Sequence, residues 1–195
     1  MRTKRRRARA PRARVAALLL VAVTALPAAA VQVYHTDAEA LAIAFPDATR
    51  IEQRSVLLDD AAQARVAQQL GYAARDRAVV LREAFRGDVL VGRALVLEEI
   101  GKTLPFRFLV AITPDGRVDQ VLLLTYREPR GYEIERDAFR DQYRGKALGD
   151  PVRRGEDVRN VTGATISVDS LSRGVRRALA LCAEATSAPS PRSGS

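Results

Sequence analysis

Between Ala78 and Tyr126 the chain reads as four consecutive apolar runs, and this stretch limits the possible folds more than any other. The runs are Val79–Phe85, Val89–Leu97, Phe106–Ile112 and Val118–Tyr126, each of strand length and rich in β-branched and aromatic residues. Pro114-Asp115-Gly116 is a strong turn signal, so the last two runs read as a hairpin. Helical patterns lie before and after this block instead of alternating with it. That order predicts an α+β fold: a single domain with an antiparallel sheet flanked by helices, not a parallel doubly wound sheet. No Gly-x-Gly-x-x-Gly follows a strand, which argues against a Rossmann cofactor site.

The helices announce themselves by their ends. Thr36-Asp37-Ala38-Glu39 is a capping box that opens a helix through Phe45, stopped by Pro46. Asp59 and Asp60 open a second, Ala61 to Leu70, closed by Gly71. Asp137–Arg144 reads as a short helix, followed by a loop from Gly145 to Asn160. In the last helix Val168, Leu171, Val175, Ala178, Leu179 and Cys182 recur at helical spacing, and it ends near Ala185. Arg173, Arg176 and Arg177 fall between them and read as a solvated face. Ser167 suits the N-cap, because its hydroxyl can take an orphan N–H of the first turn.

A formal net charge of +9 invites a nucleic-acid reading, but the distribution removes it. Residues 1–30 hold eight basic side chains and no acid, and the rest of the chain is close to neutral. With 5% aromatics and no Trp there is little to stack on bases either, so no nucleic-acid partner is expected. The first thirty residues have the layout of an export signal: a charged start, the apolar core Val15–Val23, then Ala28-Ala29-Ala30 ahead of Val31. Cleavage there or retention as a membrane anchor both remain open, and either places the domain, residues 31–186, outside the cytoplasm. Ser187–Ser195 is a Ser/Pro-rich tail expected to be disordered. One cysteine, Cys182, excludes an internal disulfide and a thiolate cluster, and the single His35 excludes a paired-histidine metal site. No Gly-x-Ser-x-Gly elbow is present, so hydrolase chemistry has no support.

The segment Val161-Thr162-Gly163-Ala164-Thr165-Ile166-Ser167 stands directly before the long helix. Small residues leave the backbone open to a bulky group, and hydroxyls at a helix N-terminus sit where free N–H groups and the dipole favour an anion such as phosphate. A threonine hydroxyl is uncharged at neutral pH, so Thr165 needs a second enzyme or a strong base to attack a phosphate. Read from these residues alone, a capped turn with no chemistry is the better-supported reading, because capping turns of this composition are common.

The string Thr162-Gly163-Ala164-Thr165 resembles the Ser/Thr-Gly-Ala-Thr flavinylation motif of the FMN-binding domain family. Three further segments are similar to that family in the same order along the chain. They are Val33–Pro46, the hairpin Phe106 to Tyr126 with the loop Glu128-Pro129-Arg130-Gly131, and Phe139 with Tyr143-Arg144-Gly145-Lys146-Ala147-Leu148. The resemblance is to extracytoplasmic electron-transfer flavoproteins such as the flavin subunits of Rnf-type and sodium-translocating NADH:quinone oxidoreductase complexes. It implies FMN held covalently through a phosphoester on Thr165, attached by a flavin transferase. Thr162, Gly163, Ala164 and Ser167 would shape the turn, and Glu128, Gly131 and Lys146 would surround the ring or phosphate. It also implies an electron carrier or oxidoreductase component, not a stand-alone enzyme. Its redox partner would be a membrane quinol oxidoreductase, a cytochrome or an extracytoplasmic reductase. One departure is plain: where the family often has aspartate, three residues before the motif, this chain has Arg159, with Asp157 displaced nearby. A cofactor-free binding or assembly domain of the same fold is the alternative reading.

Overall fold

The computed structural model describes residues 32–128 and 130–187. The leader, Pro129 of the Glu128–Gly131 loop and the tail from residue 188 lie outside the described residues. The strands and helices, in chain order, are β1 (Gln32–Val33), α1 (Asp37–Ala44), β2 (Arg50–Leu57), α2 (Asp60–Leu70), β3 (Ala78–Arg86), β4 (Val89–Ile100), β5 (Pro105–Ile112), β6 (Val118–Tyr126), α3 (Asp137–Arg140) and α4 (Thr165–Ser187). The strands form one antiparallel sheet in the order β1-β6-β5-β4-β3-β2. The expected α+β fold is therefore observed, and the four strands read from apolar runs are present as one continuous meander.

Both faces of this sheet are covered, which explains why β5 and β6 are almost continuously apolar instead of strictly alternating. Phe106, Phe108, Val110, Ile112, Val121 and Leu123 pack under α4 and α2 on one face. Leu109, Ala111, Leu122 and Leu124 meet Ala40, Ala44 and Phe45 of the α1 segment on the other. The capping box is in place: Thr36 Oγ1 accepts from Glu39 N–H at 3.2 Å, while the Glu39 carboxylate accepts from Thr36 N–H at 2.8 Å. Asp59 caps α2 by accepting from Ala62 N–H at 2.7 Å, and left-handed Gly71 ends it.

Three local expectations change. β2 was not anticipated, because Arg50–Leu57 shows no apolar alternation. It is an edge strand paired along its length with β3, and an edge needs only one buried residue in several. Its Arg54 and the β4 residue Arg93 both reach Glu83 at 3.1 Å. Burial alone would raise the Glu83 carboxyl, but the two guanidinium groups hold it below the ordinary value. The expected helix over Asp137–Arg144 is α3 followed by a single 3-10 turn, Asp141–Tyr143.

The third change concerns the arginines of α4, which do not form a solvated face. Arg173 reaches the buried Glu99 carboxylate at 3.2 Å, Arg177 pairs with Glu99 and with Asp76 at 3.1 Å, and Arg176 donates to Leu70 O at 3.1 Å. They clamp the helix to β4 and α2. The apolar stripe is buried as expected, including Cys182, whose thiol burial pushes up to about 11; that cysteine is an inert packing residue.

Candidate functional site

The site is built where α4 begins. Ala164 O accepts from Val168 N–H at 2.9 Å, so the helix starts at Thr165 and Ser167 lies inside its first turn. The expected N-cap role of Ser167 is therefore not what the structure shows. The residue is 4% exposed, and its hydroxyl stands 2.8 Å from the Tyr126 hydroxyl. A buried tyrosine hydroxyl costs free energy unless it is paired, and this contact wins over capping. Tyr126 itself is fixed edge-on against Phe106, with ring centroids 5.7 Å apart, and donates to Arg130 O at 2.9 Å. The β5 core thus sets the position of the helix start.

With Ser167 turned inward, the N–H groups of Thr165, Ile166 and Ser167 have no hydrogen-bond partner among the described residues. No acidic side chain occupies the first turn, and the nearest one on the helix, Asp169, is held by Arg154 at 2.7 Å. The N-terminus of a long helix therefore presents unsatisfied donors and the positive dipole end.

Two loops complete the surroundings. Glu128, just past β6, accepts from Leu104 N–H at 2.8 Å and from the N–H and hydroxyl of Thr103, tying down the β4–β5 turn. Burial would raise its carboxyl, but these donors hold it below the ordinary value, so it stays ionised and already occupied. Gly131 crosses the helix start with φ +85°, and a Cβ there would stand 2.5 Å from Ser167 Oγ and 2.8 Å from the Tyr126 hydroxyl. Only glycine fits on both counts. Gly131→Ala is expected to cost about 1–3 kcal/mol, from left-handed strain plus the collision, and to break the Tyr126–Ser167 contact. Thermal unfolding checks the first effect. Flavin loading checks the second, since a misplaced helix start would lower it.

These segments enclose a cleft of about 430 Å³ lined by Lys102, Thr103, Glu128, Arg130 and the run Gly163 to Ser167. Of the residues expected at the site, Thr165, Gly163, Ala164, Ser167 and Glu128 line it, and Gly131 packs directly behind Ser167. Thr162 is exposed and does not line it. Lys146 is not brought there. Its ammonium pairs with Asp157 at 2.7 Å, and its carbonyl accepts from Val118 N–H, which fastens the loop to the start of β6. Asp157 also accepts from Arg153 N–H at 2.8 Å and Val152 N–H at 3.1 Å. Against the opposing effect of its burial, these partners hold its carboxyl below the ordinary value. Both residues are structural pins. Lys102, Thr103, Ile166 and Tyr126 were missed. Each is ordinary in its own stretch, and only the crossing of β4–β5, the post-β6 loop and α4 brings them together.

The cleft coincides with the part of the chain that is similar to a known family: a family model described as the FMN-binding domain matches residues 101–180. That match spans β5, β6, both loops and most of α4. The chain is also similar to the crystal structure of Shewanella oneidensis NqrC, with 18% identity, a TM-score of 0.47, and coverage of 70% of this chain and 78% of that one. No curated protein matches the sequence.

The residues present fit FMN. The volume is within the roughly 300–1,000 Å³ of small-ligand pockets. Lys102, Arg130 and the free first-turn N–H groups offer an anion-binding end, suited to a phosphate. Ala164 and Ile166 supply apolar surface beside it. The Thr165 hydroxyl lines the same space and has no hydrogen-bond partner among the described residues.

Proposed function

We propose that this protein is an extracytoplasmic electron-transfer flavoprotein carrying FMN on Thr165 through a phosphoester bond. The observation that carries this reading is the placement of the Thr165 hydroxyl, unpartnered, in a cationic cleft at a helix N-terminus inside an FMN-binding domain. When bound, FMN supplies reversible one- and two-electron chemistry. The protein's part is to hold the phosphate end with Lys102, Arg130 and the α4 N–H groups, and to fix the turn through Gly131, Ser167 and Tyr126.

Among the described residues the cleft offers no free base for the chain's own modification. The one carboxylate lining the cleft, Glu128, is engaged by Thr103 and Leu104. Loading therefore needs a separate flavin transferase to activate the hydroxyl. A covalent link suits a protein working outside the cytoplasm, where dissociated FMN is lost by dilution. Export rests on the leader. Among the described residues no helix is long and apolar enough to cross a membrane. A membrane quinol oxidoreductase, a cytochrome or an extracytoplasmic reductase is the redox partner on this reading.

The test is the intact mass of protein exported from a host that expresses a flavin transferase. The expected product carries the mass of one FMN less water on the peptide containing Thr165, and begins at Val31 if the leader is cleaved. Exported protein without flavin under these conditions would favour the cofactor-free binding domain instead.

Arg159 tests recognition by the transferase. Its side chain is exposed, and its N–H donates to the Gln142 side chain at 2.7 Å, a contact that a substitution keeps. If the transferase prefers an acid there, Arg159→Asp raises the fraction loaded under limiting transferase, with stability changing by no more than ~0.5 kcal/mol. Reduced loading would show that the arginine itself serves the cofactor or the transferase.

A further inference from the structure

We propose that an arginine-lined hollow between the end of α2, the middle of α4 and loop residues 152–154 binds a small oxyanion of the phosphate class. The inference is independent of the flavin reading above. Two adjoining cavities, of about 300 and 210 Å³, share Tyr72 and Arg173 as a common wall. The smaller is lined by Arg153, Arg154, Arg173 and Arg176, with Asp169 the one carboxylate in its lining among the described residues.

Donors outnumber acceptors in this hollow. Arg154 pairs with Asp169 at 2.7 Å, Arg173 with Glu99 at 3.2 Å and Arg153 with Glu156 at 3.4 Å. Arg176 meets only backbone carbonyls among the described residues, Leu70 O at 3.1 Å being the nearer. Each guanidinium carries five N–H donors, so these contacts leave many unspent. The Nη1 groups of Arg154, Arg173 and Arg176 have no partner among the described residues. The Tyr72 hydroxyl is buried and likewise has no partner. Burial and Glu99 raise its pKa, against Arg177, Arg173 and Arg176, so the phenol stays protonated and able to donate. A buried donor left unpaired costs free energy, and a hollow whose unspent groups are donors is completed by an acceptor. An oxyanion of the phosphate class fits, because pairs of guanidinium N–H groups match its oxygens.

The loop presents its arginines under strain. Val152 is buried in the wall of the smaller cavity and has φ +43°, a left-handed conformation that a β-branched residue rarely adopts. Asp157 holds it there, accepting from the N–H groups of Val152 and Arg153 while pairing with Lys146. Such strain persists where neighbouring contacts enforce it, and it clusters at ligand sites. The Lys146–Asp157 pin thereby sets Arg153 and Arg154 against the hollow. The flavin phosphate is a different ligand. Arg173 and Arg176 lie roughly 12–16 Å beyond Thr165 along α4, at about 1.5 Å per residue. A phosphate fixed to Thr165 does not reach them.

The probe is inorganic phosphate, titrated calorimetrically into the exported protein, with sodium chloride at matched ionic strength as control. Saturable phosphate binding is expected, and phosphate but not chloride should raise the melting temperature. Tyr72→Phe removes only the unpartnered hydroxyl. Arg153→Gln removes an exposed guanidinium whose ion pair with Glu156 contributes little. Each should weaken phosphate binding by about tenfold. Without phosphate, Tyr72→Phe should melt at or above the parent temperature, since a buried hydroxyl without a partner is lost. Arg130→Gln, at the flavin cleft, should leave this binding unchanged. Phosphatidylglycerol vesicles separate the two sources of the anion. Co-sedimentation that both substitutions weaken assigns the site to a lipid headgroup, and phosphate binding without co-sedimentation assigns it to free phosphate or a soluble phosphate ester. Phosphate binding no stronger than the chloride control would overturn the proposal. So would binding that survives both substitutions, or that Arg130→Gln alone removes. A lower melting temperature for Tyr72→Phe would also overturn it, by showing that the hydroxyl serves the fold.

Discussion

Thr165→Ala, exported from a host with a flavin transferase, is expected to emerge folded and colourless. The substitution removes one hydroxyl that has no hydrogen-bond partner among the described residues, so the fold loses little. The turn that places it does not depend on that hydroxyl. It is closed by Ala164 N–H to Val161 O at 3.1 Å and Val168 N–H to Ala164 O at 2.9 Å, and anchored by Ser167 on Tyr126. Covalent flavin should therefore fall from near one per chain to none, while the circular dichroism spectrum and melting temperature stay close to those of the parent. Intact-mass and visible spectra read the first effect, and thermal unfolding reads the second. Undiminished flavin on the variant, or flavin mapped to Thr162, would overturn the assignment. Loss of fold in the variant would show instead that Thr165 holds the turn itself.

Gly174→Ala should destabilise the protein, against the ordinary rule for helices. Within a solvent-exposed helix, replacing glycine by alanine stabilises by about 1 kcal/mol. Here a Cβ would stand 2.3 Å from Phe108 Cζ and 3.0 Å from Glu99 Cγ. Phe108 is fully buried in the sheet, and Glu99 is held between Arg173 and Arg177, so neither can swing away cheaply. Overpacking of this kind costs about 1–3 kcal/mol, which exceeds the helix-propensity gain. The net expectation is a loss of up to ~2 kcal/mol, with a lower denaturation midpoint at an unchanged denaturant slope. A stabilised Gly174→Ala would mean that the helix can back away from the sheet. The close contact would then not be what fixes α4 over β4 and β5.

The same contact bears on function. α4 carries Thr165 at one end, and the clamp of Gly174, Phe108, Glu99 and the two arginines lies two to three turns further along. Ser167, Ser170 and Ser172 add bonds to Tyr126, Ile100 O and Tyr143, so the helix is fixed by polar as well as apolar contacts. Lifting that helix should move Thr165, the proposed attachment point, relative to Lys102 and Arg130.

The sequence by itself determined the meander, both capped helices and the stripe of α4, because these depend on side chains a few residues apart. The strand-length apolar runs, the Thr36–Glu39 box and the Val168–Cys182 spacing are local patterns that a chain carries wherever it folds. The string Thr162–Thr165, proposed above as the attachment motif, stands out for the same reason, as a contiguous string before a helix. Tertiary structure alone decided three other things. It made Arg50–Leu57 a strand, since β3 supplies the partner that the segment's own pattern does not advertise. It assigned the arginines of α4 to Glu99, Asp76 and Leu70 O, and Lys146 to Asp157, because a charged side chain takes whichever opposite charge the fold brings within reach. It also turned Ser167 from a cap into the partner of Tyr126, residues 41 positions apart in the chain. The sequence can point to Thr165 as the candidate residue, but the cleft around it exists only where β4–β5, the post-β6 loop and α4 meet, and no local spacing encodes that meeting.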